Sequence, residues 1–507
     1  MNLTMPIFSV ALPEIFMLCM LSIVLLVDIF LTERFRIVTY VLVQLTLFVT
    51  FIFVYQQYRE YPEPIITFSG HYVLDKLAVL TKLFVLVASF FAFVYARQYT
   101  KERNIARGEY YLLGLFAVLG MMIMASAYSF LTIYLGLELL SLSLYAMVAL
   151  YKESIFASEA AMKYFVMGAL ASGLLLYGIS ILYGVTGSIQ IHEIGALLNN
   201  ATEVIPISIN GSATGNGLSH SFSSDQNIVV MLGMIFILAG LLFKFGAVPF
   251  HMWVPDVYTG APTSMTLFIA SAPKIAAFCI TMRVLVEALP SMNIAWENIL
   301  TVVSVLSMLG GNLLAIAQTN IKRMLAYSSI AHIGYSLLGI LAGPNSENGY
   351  SAAMFYISTY VIVAAGAFAV IALLSREGIE LDQLEDYRGL NARNPWLAFM
   401  MLLLMFSMAG IPPTVGFFAK LGLLEALVEA HYVWLASFAL VFAIIGAYYY
   451  LRVVMLMYFE EPSGDKLHTE RLAIAPGIMT AISINGIAAL GLGLLPSALI
   501  DMCRISV

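Results

Sequence analysis

Residues 228–249 read IVVMLGMIFILAGLLFKFGAVP, and this stretch shows the pattern that decides the fold. It is long and apolar enough to cross a bilayer, because about 20 apolar residues in a helix span the hydrocarbon core. Its one charged side chain is Lys244, and Gly246 and Pro249, which interrupt helices, follow closely. A break at membrane depth is tolerated only inside protein or beside water. The stretch therefore predicts a broken transmembrane helix next to a polar interior.

The rest of the chain is as apolar as this stretch. Charged residues make up 11% of the 507 residues, whereas soluble domains carry about 25%. Mean hydropathy is +0.92. We predict an all-α polytopic membrane protein whose residues 1–507 form one transmembrane domain. Its fourteen predicted spans are 8–31, 37–55, 73–96, 110–127, 130–150, 160–184, 228–249, 263–288, 298–317, 325–342, 351–374, 396–429, 433–457 and 473–499.

The twelfth span repeats the interruption of the seventh. It contains AGIPPTVGFFAK at 409–420, in which Pro412 and Pro413 precede Lys420 by a few residues. Two broken spans five positions apart predict two five-helix repeats, at 110–288 and 298–457. Because five is odd, the second repeat should be inverted in the membrane, as in secondary transporters.

The loops give the orientation. Loops after odd-numbered spans hold 14 Lys and Arg residues, and the other loops and the termini hold 3. Because basic residues concentrate on the cytoplasmic side, we predict that odd-numbered loops are cytoplasmic and that both termini face outward. Residues 185–227, rich in Gly, Ser and Asn, are predicted to form an external flexible loop, and 206–227 an insertion.

Seven basic residues remain inside the spans: Lys82, Lys163, Lys244, Lys274, Arg283, Lys420 and Arg452. Each costs a few kcal/mol at the bilayer centre, so its depth decides whether a function is implied. Arg283 and Arg452 lie near span ends, and we expect them to extend their charges to the interface. For Lys82 the sequence leaves two options open, extension to the interface or membership of a polar chain.

The deep charges form two candidate groups. Glu138 and Lys163 lie at similar depths on either side of the loop near Lys152, so we expect them to face each other as a buried pair, with a purely structural ion pair as the alternative. Lys244 and Lys274 lack a carboxylate at their depth. Burial and mutual repulsion disfavour their charged forms, which predicts lysines that exchange protons near neutral pH.

Two histidines extend this set. His332 lies in the tenth span among serines and tyrosines, and His251 follows the break after Lys244. Histidine can donate and accept protons near neutral pH, so both are possible relay residues, with simple packing as the alternative for each.

Other classes of chemistry lack their sequence signatures. The three cysteines, Cys19, Cys279 and Cys503, are far apart, and the sequence contains no CxxC motif, metal-spaced histidine pair or glycine-rich phosphate loop. A net charge of -6 without a long basic run gives no reason to expect nucleic acid as a partner. We therefore expect no cofactor or metal on this chain, which should move charge rather than electrons.

The residues together resemble a known family. The features that carry the resemblance are KFGAVPFHMWVPDVYTGAPT at 244–263, AYSSIAHIGY at 326–335, AGIPPTVGFFAK at 409–420 and the positions of Glu138 and Lys163. They are similar to the antiporter-like membrane subunits of respiratory complex I, the proton-pumping NADH:quinone oxidoreductase. The resemblance covers nearly the whole chain and is nearest to the N-type members of the bacterial enzyme, because M-type members have glutamate at the position of Lys420 and L-type members add a lateral helix.

The resemblance implies a function. Glu138, Lys163, Lys244, Lys274 and Lys420 would relay protons at the midplane, coupled to quinone reduction elsewhere in a translocase enzyme. Partners would be other membrane-arm subunits, both antiporter-like and small, within the bacterial inner membrane. NADH, FMN, iron–sulfur clusters and quinone would bind to partner subunits. The alternatives are a subunit of a multisubunit Na⁺(K⁺)/H⁺ antiporter and a structural spacer.

Overall fold

A computed structural model describes residues 5–32, 35–103, 105, 108–202, 224–375, 379–462 and 474–506. Within these ranges, 13 helices are long and apolar enough to cross a membrane. They coincide with thirteen of the predicted spans. The remaining span, 396–429, consists of two shorter helices on either side of its prolines. The predictions of an all-α polytopic membrane protein and of a broken twelfth span are therefore confirmed.

The helices are numbered along the chain. They are α1 Leu12–Phe30, α2 Ile37–Glu60, α3 Lys76–Glu102, α4 Gly108–Ser126, α5 Phe130–Val148, α6 Ile155–Thr186, α7 Ile191–Thr202, α8 Ser224–Phe245, α9 Trp253–Gly260, α10 Thr263–Ile269, α11 Ala272–Met282, α12 Asn293–Ile316, α13 Ile321–Ala342, α14 Gly349–Leu374, α15 Leu390–Arg393, α16 Pro395–Ala409, α17 Val415–Glu429, α18 Val433–Phe459, α19 Pro476–Leu494 and α20 Ser497–Ser506.

The alternation of spans defines two membrane faces. The face at which α3 ends and α6 begins carries most of the basic loops and is called the basic-loop face below. The face at which α1 and α3 begin is called the terminal face. A short antiparallel hairpin lies there, with β1 Ile65–Thr67 paired to β2 Tyr72–Leu74 and Ile65 opposite Leu74.

The most enclosed helices lie at the centre of the molecule. The spans Thr263–Ala288, Ile321–Asn345 and Gly349–Leu374 are almost wholly buried, whereas α1, α2 and α6 expose broad apolar faces. Apolar side chains on exposed faces are expected where lipid or another membrane subunit is the surrounding medium. The enclosed centre is where charged side chains can be sheltered from hydrocarbon.

Two predictions about individual segments are wrong. The predicted loop 185–227 contains a helix, because α7 forms at 191–202 and α8 already begins at Ser224; residues 203–223, with most of the predicted insertion, lie outside the described residues. Arg283 does not extend to the interface. Its side chain is fully buried and forms ion pairs with Asp75 at 2.7 Å and Glu287 at 3.1 Å. Asp75, at the start of α3, is a counter-charge that span 8 alone cannot reveal, whereas Glu287 lies four residues after Arg283 within span 8 itself.

Candidate functional site

The two helix breaks have the same backbone geometry. Gly246 ends α8 with φ of 76°, and Gly410 ends α16 with φ of 83°. In each, the glycine N–H and the next N–H bond back to carbonyls of the last turn, with Ala247 donating to Leu242 and Ile411 to Phe406. This is the Schellman arrangement, in which a left-handed residue, usually glycine, ends a helix. A proline stands three residues after each glycine, at Pro249 and Pro413.

A lysine occupies the carbonyl end of each broken helix. Lys274 Nζ donates to the carbonyl of Phe245, the last residue of α8. Lys420 Nζ donates to Met408 at 3.0 Å and Ala409 at 2.8 Å, the last residues of α16. The final carbonyls of a helix have no partner within it and carry the negative end of its dipole, so an ammonium group is stabilised there. The breaks thus create the places in which the two lysines reside.

Aromatic rings cover the same two ammonium groups. Lys274 Nζ lies 5.5 Å from the ring centre of Trp253, and Lys420 Nζ lies 5.6 Å from that of Tyr335. The negative face of an aromatic ring attracts a cation at this distance. Among the described residues neither lysine pairs with a carboxylate, so either one can become neutral without leaving an unpaired acid behind.

Lys244 contacts the helix that carries Glu138. Its Nζ donates to Ser141 Oγ at 2.7 Å and lies 3.4 Å from the hydroxyl of Tyr145. Glu138, Ser141 and Tyr145 are spaced three and four residues apart and share one face of α5. Glu138 lies close enough to interact electrostatically with Lys244. In the described part of the chain, its Oε1 is buried without a hydrogen-bond partner.

The predicted pairing of Glu138 with Lys163 is wrong. Lys163 Nζ instead contacts Asp256 at 2.8 Å and Glu159 at 2.9 Å, and its side chain is 42% exposed. The long helix α6 begins five residues before the predicted span, at Ile155. This start places Lys163 about 12 Å from the end of its helix, at 1.5 Å per residue. Glu138 is ten residues, about 15 Å, from the end of α5, so the two depths are similar. The pair is absent because the side chain of Lys163 points to Asp256 and Glu159 rather than to α5.

Lys163 borders a large cavity at the basic-loop face. The cavity has a volume of about 770 Å³ and is lined by charged residues of both signs. Asp256 joins two of them, because its other oxygen lies 3.4 Å from Arg323. Glu380 lies 3.4 Å from Arg103 and 4.0 Å from Lys322. Burial alone would raise the pKa of Glu380, but Lys322 and Arg103 outweigh it and hold the pKa below its usual value.

His332 is the centre of a buried hydroxyl cluster. Its Nδ1 lies 2.7 Å from the hydroxyl of Tyr356, and its Nε2 lies 2.9 Å from that of Tyr450. Two small cavities of about 20 and 10 Å³ lie between His332 and Lys420. The larger has room for one water molecule, which needs at least about 10–15 Å³. His332 and Lys420 thus line the same small cavities.

His251 lies in the turn between α8 and α9, at the seventh-span break. Its ring is half-buried, and within the described residues its Nδ1 is buried without a hydrogen-bond partner. The structure thus places this histidine beside the break but apart from the hydroxyl cluster around His332.

Comparison with known proteins identifies the family of this chain. Residues 127–446 match the family described as NADH:quinone oxidoreductase/Mrp antiporter, TM. NADH-quinone oxidoreductase subunit N of Thioalkalivibrio sulfidiphilus is 50% identical over 502 residues, covering 99% of this chain and 98% of the relative. The protein of the same name from Coxiella burnetii is 48% identical over 507 residues, covering 99% of each. This chain belongs to the NADH-quinone oxidoreductase subunit N family.

Comparison with solved structures supports membership in that family. A chain of respiratory complex I from Thermus thermophilus, solved with bound aureothin, has a TM-score of 0.78 and 30% identity, covering 98% of this chain and 100% of that chain. A chain of the Mrp complex from Dietzia sp. DQ12-45-1b has a TM-score of 0.81 at 20% identity, covering 98% of this chain and 96% of that chain. The Mrp likeness shows a shared fold. The resemblance to complex I is confirmed, and the alternative of a cation antiporter subunit is less well supported.

Sequence reasoning missed several site residues of this subunit N family member. Asp256 was not singled out, although it lies in the first turn of α9, seven residues after Pro249, and pairs with Lys163. The hydroxyls around His332 were also missed, although Tyr356 and Tyr360 stand four residues apart and Tyr449 and Tyr450 are adjacent within apolar spans. Tyrosines inside membrane spans, away from the interfaces that they usually occupy, are a signal that could have identified the cluster.

Proposed function

We propose that the chain translocates protons through a relay of Glu138, Lys244, Lys274, His332 and Lys420, coupled to quinone reduction elsewhere in the complex. The observation that supports this best is the shared geometry of the two breaks, each with a lysine on its terminal carbonyls. A lysine held by carbonyls and a ring, rather than by a carboxylate, can alternate between charged and neutral forms. Structural ion pairs do not need such an arrangement.

Glu138 and Lys244 are near enough to influence each other electrostatically. Two unit charges about 7 Å apart interact by roughly 2.4 kcal/mol at an effective dielectric constant of 20. Moving one charge across 100 mV costs about 2.3 kcal/mol. A single coupling such as that between Glu138 and Lys244 is therefore of the size needed to drive one step. Protonation of Lys244 would in turn change how readily Lys274 holds its proton, and the effect would continue through His332 to Lys420.

The exposed position of Lys163 suggests an uptake role. With Asp256 and Glu159 it forms a charged rim on the cavity at the basic-loop face. Water in a cavity of this size would bring protons to the start of α9, the helix that follows the break after Lys244. In this proposal Lys163 belongs to the relay as a group at the uptake mouth, and His251 lies between that mouth and the break.

Glu138 indicates where a partner subunit packs. It lies on the same face of α5 as Leu131, Leu135 and Leu142, whose side chains are all at least half exposed. A carboxylate at mid-membrane depth on such a face would be costly against lipid. We infer that another membrane-arm subunit, antiporter-like or small, covers this face in a bacterial inner membrane, with both termini on the periplasmic side. NADH, FMN, iron–sulfur clusters and quinone then belong to partner subunits.

The test uses the assembled complex in inverted membrane vesicles. Protons moved per electron from NADH are measured for the parent and for Lys244→Ala. We expect the ratio to fall, because the first buried ammonium of the relay is gone. Lys76→Ala removes a lysine from the terminal face and serves as the control, with an unchanged ratio expected. An unchanged ratio in Lys244→Ala would refute the proposed relay.

A further inference from the structure

A second group of buried charges lies at the terminal face, outside the proposed relay. It comprises Glu14, Tyr72, Asp75, Lys82, Arg283 and Glu287 and is called the terminal-face cluster. Lys82 is completely buried, and its Nζ lies 2.5 Å from Glu14 Oε1. The hydroxyl of Tyr72 accepts from Lys82 at 2.9 Å and donates to Glu14 Oε2 at 3.1 Å. Of the two options for Lys82, the structure shows membership of a polar cluster.

The cluster follows one stripe of α3 into the membrane. Asp75, Lys82 and Ser89 are seven residues apart and therefore lie on one helix face, about 10.5 Å from each other along the axis. Asp75 caps the start of α3 by accepting from the Ala78 N–H at 2.8 Å. Glu14 is in the first turn of α1, and its side chain is 10% exposed. The stripe thus begins at the surface and leads inward.

The inner end of the stripe reaches the depth of the relay. Ser89 is fourteen residues after Asp75, and Lys274 is fourteen residues before Ala288, so each lies about 21 Å from the terminal face. Helix α3 packs directly against α11, which carries Lys274. Polar groups of the cluster and the relay therefore meet at the same level on two adjoining helices.

Unpartnered hydroxyls indicate water along this stripe. Thr81 Oγ1, Ser89 Oγ and Ser126 Oγ are buried, and none has a hydrogen-bond partner within the described residues. Buried polar groups are almost always satisfied, and ordered water supplies the bond where protein does not. Three such hydroxyls on neighbouring helices would be linked by water between Lys82 and the depth of Lys274.

We propose that the terminal-face cluster is the route by which protons leave the relay at Lys274, with Lys82 and Glu14 as its last proton carriers and with the charge on Lys420 controlling that release. This inference rests on the proposed function. A proton passes from the Lys82 ammonium group to the Glu14 carboxylate, breaking one N–H bond and forming one O–H bond. The products are a neutral amine and a carboxylic acid. Glu14 then releases its proton to external water, and Lys82 regains one from water on the relay side.

The other members position this pair. Tyr72 binds both Lys82 and Glu14 and so fixes their separation. Arg283 holds Asp75 and Glu287 and also donates to the carbonyl of Ala125. These contacts tie α3 to the end of α11. Arg283 thereby balances two carboxylates that would otherwise compete with Glu14 for the proton.

Two variants separate this role from a purely structural one. Glu14→Gln keeps the size of the side chain and one oxygen that can accept from Lys82, but it cannot carry a proton. The double variant Glu14→Leu/Lys82→Met removes both charges, and replacing a buried ion pair by apolar residues is often neutral or stabilising. If the pair only holds α1 to α3, the double variant should pump normally.

The measurement is again protons per electron in vesicles that contain the whole complex. We expect both variants to lose the protons carried by this subunit, whereas Lys76→Met, a change at the start of the same helix, keeps the parent ratio. A parent ratio in Glu14→Gln or in the double variant would overturn the inference. If Lys244→Ala lowers the ratio and these variants do not, only the exit route is wrong; if Lys244→Ala also keeps the ratio, the proposed function itself fails.

Discussion

Replacing Glu138 by Gln tests the electrostatic coupling at the start of the relay. The substitution keeps the size and polarity of the side chain and removes its negative charge. Lys244 Nζ is 2.7 Å from Ser141 Oγ, and Ser141 is one helical turn from Glu138. Side chains one turn apart have Cβ atoms about 5–6 Å from each other, which gives a charge separation of roughly 7 Å.

This separation sets the size of the effect. At an effective dielectric constant of 20, the ammonium group of Lys244 loses about 2.4 kcal/mol of stabilisation when the carboxylate is removed. That energy matches the roughly 2.3 kcal/mol needed to move one charge against 100 mV. We therefore expect the variant to pump fewer protons per electron, and the deficit should grow as the membrane potential rises.

The assay compares inverted vesicles at full potential with vesicles whose potential is collapsed by an ionophore for another cation. Protons per electron should be low in the first condition and partly restored in the second. Glu102→Gln is the control, because Glu102 lies on the exposed end of α3 and binds only Gln98 among the described contacts. A parent ratio for Glu138→Gln at full potential would refute the coupling.

Three further changes probe the breaks and the cavity. Gly410→Ala should lower the number of protons moved per electron. A φ of 83° costs a non-glycine residue about 1–2 kcal/mol, and the added Cβ would lie 2.8 Å from the side chain of Lys420. Gly491→Ala is the control, because its Cβ would meet open space and the ratio should stay unchanged. Asp256→Asn should lower the ratio by releasing the charged rim, with Asp382→Asn on the same cavity as its control. Glu380→Gln should destabilise the assembled complex at neutral pH by about 1–3 kcal/mol, seen as faster thermal inactivation, because two cations lose their counter-charge. Since the pKa of Glu380 is depressed, this difference should vanish as the pH falls through that pKa.

The number and order of the helices could be predicted because hydrocarbon imposes a length and an apolarity on every span. The breaks could also be predicted, since glycine and proline act locally on the backbone. Gly246 and Gly410 end their helices in one motif, and prolines follow in both. These features depend on residues near in sequence, so the sequence contains the information.

The partners of the deep charges could not be predicted in the same way. Counting residues from a loop gives the depth of Glu138 and Lys163 but not the direction in which either points around its helix. The two depths are in fact similar, but the side chain of Lys163 points into the cavity at the basic-loop face. Its true partner, Asp256, is 93 positions away in sequence and belongs to a separate helix.

The partners of Arg283 also depend on tertiary packing. Its position near a span end made contact with the interface the simplest expectation. The structure buries it because Asp75 approaches from the start of α3, in addition to Glu287 four residues further along the same span. Long-range counter-charges of this kind arise from tertiary packing, which hydropathy along one chain segment does not record.

The most direct test of the relay is the number of protons moved per electron by a complex in which Lys420→Met is the only change. Methionine fills the space of the lysine side chain but cannot bind the carbonyls of Met408 and Ala409 as a cation or carry a proton. We expect the ratio to fall by the share of this subunit. A ratio equal to that of the parent would contradict it.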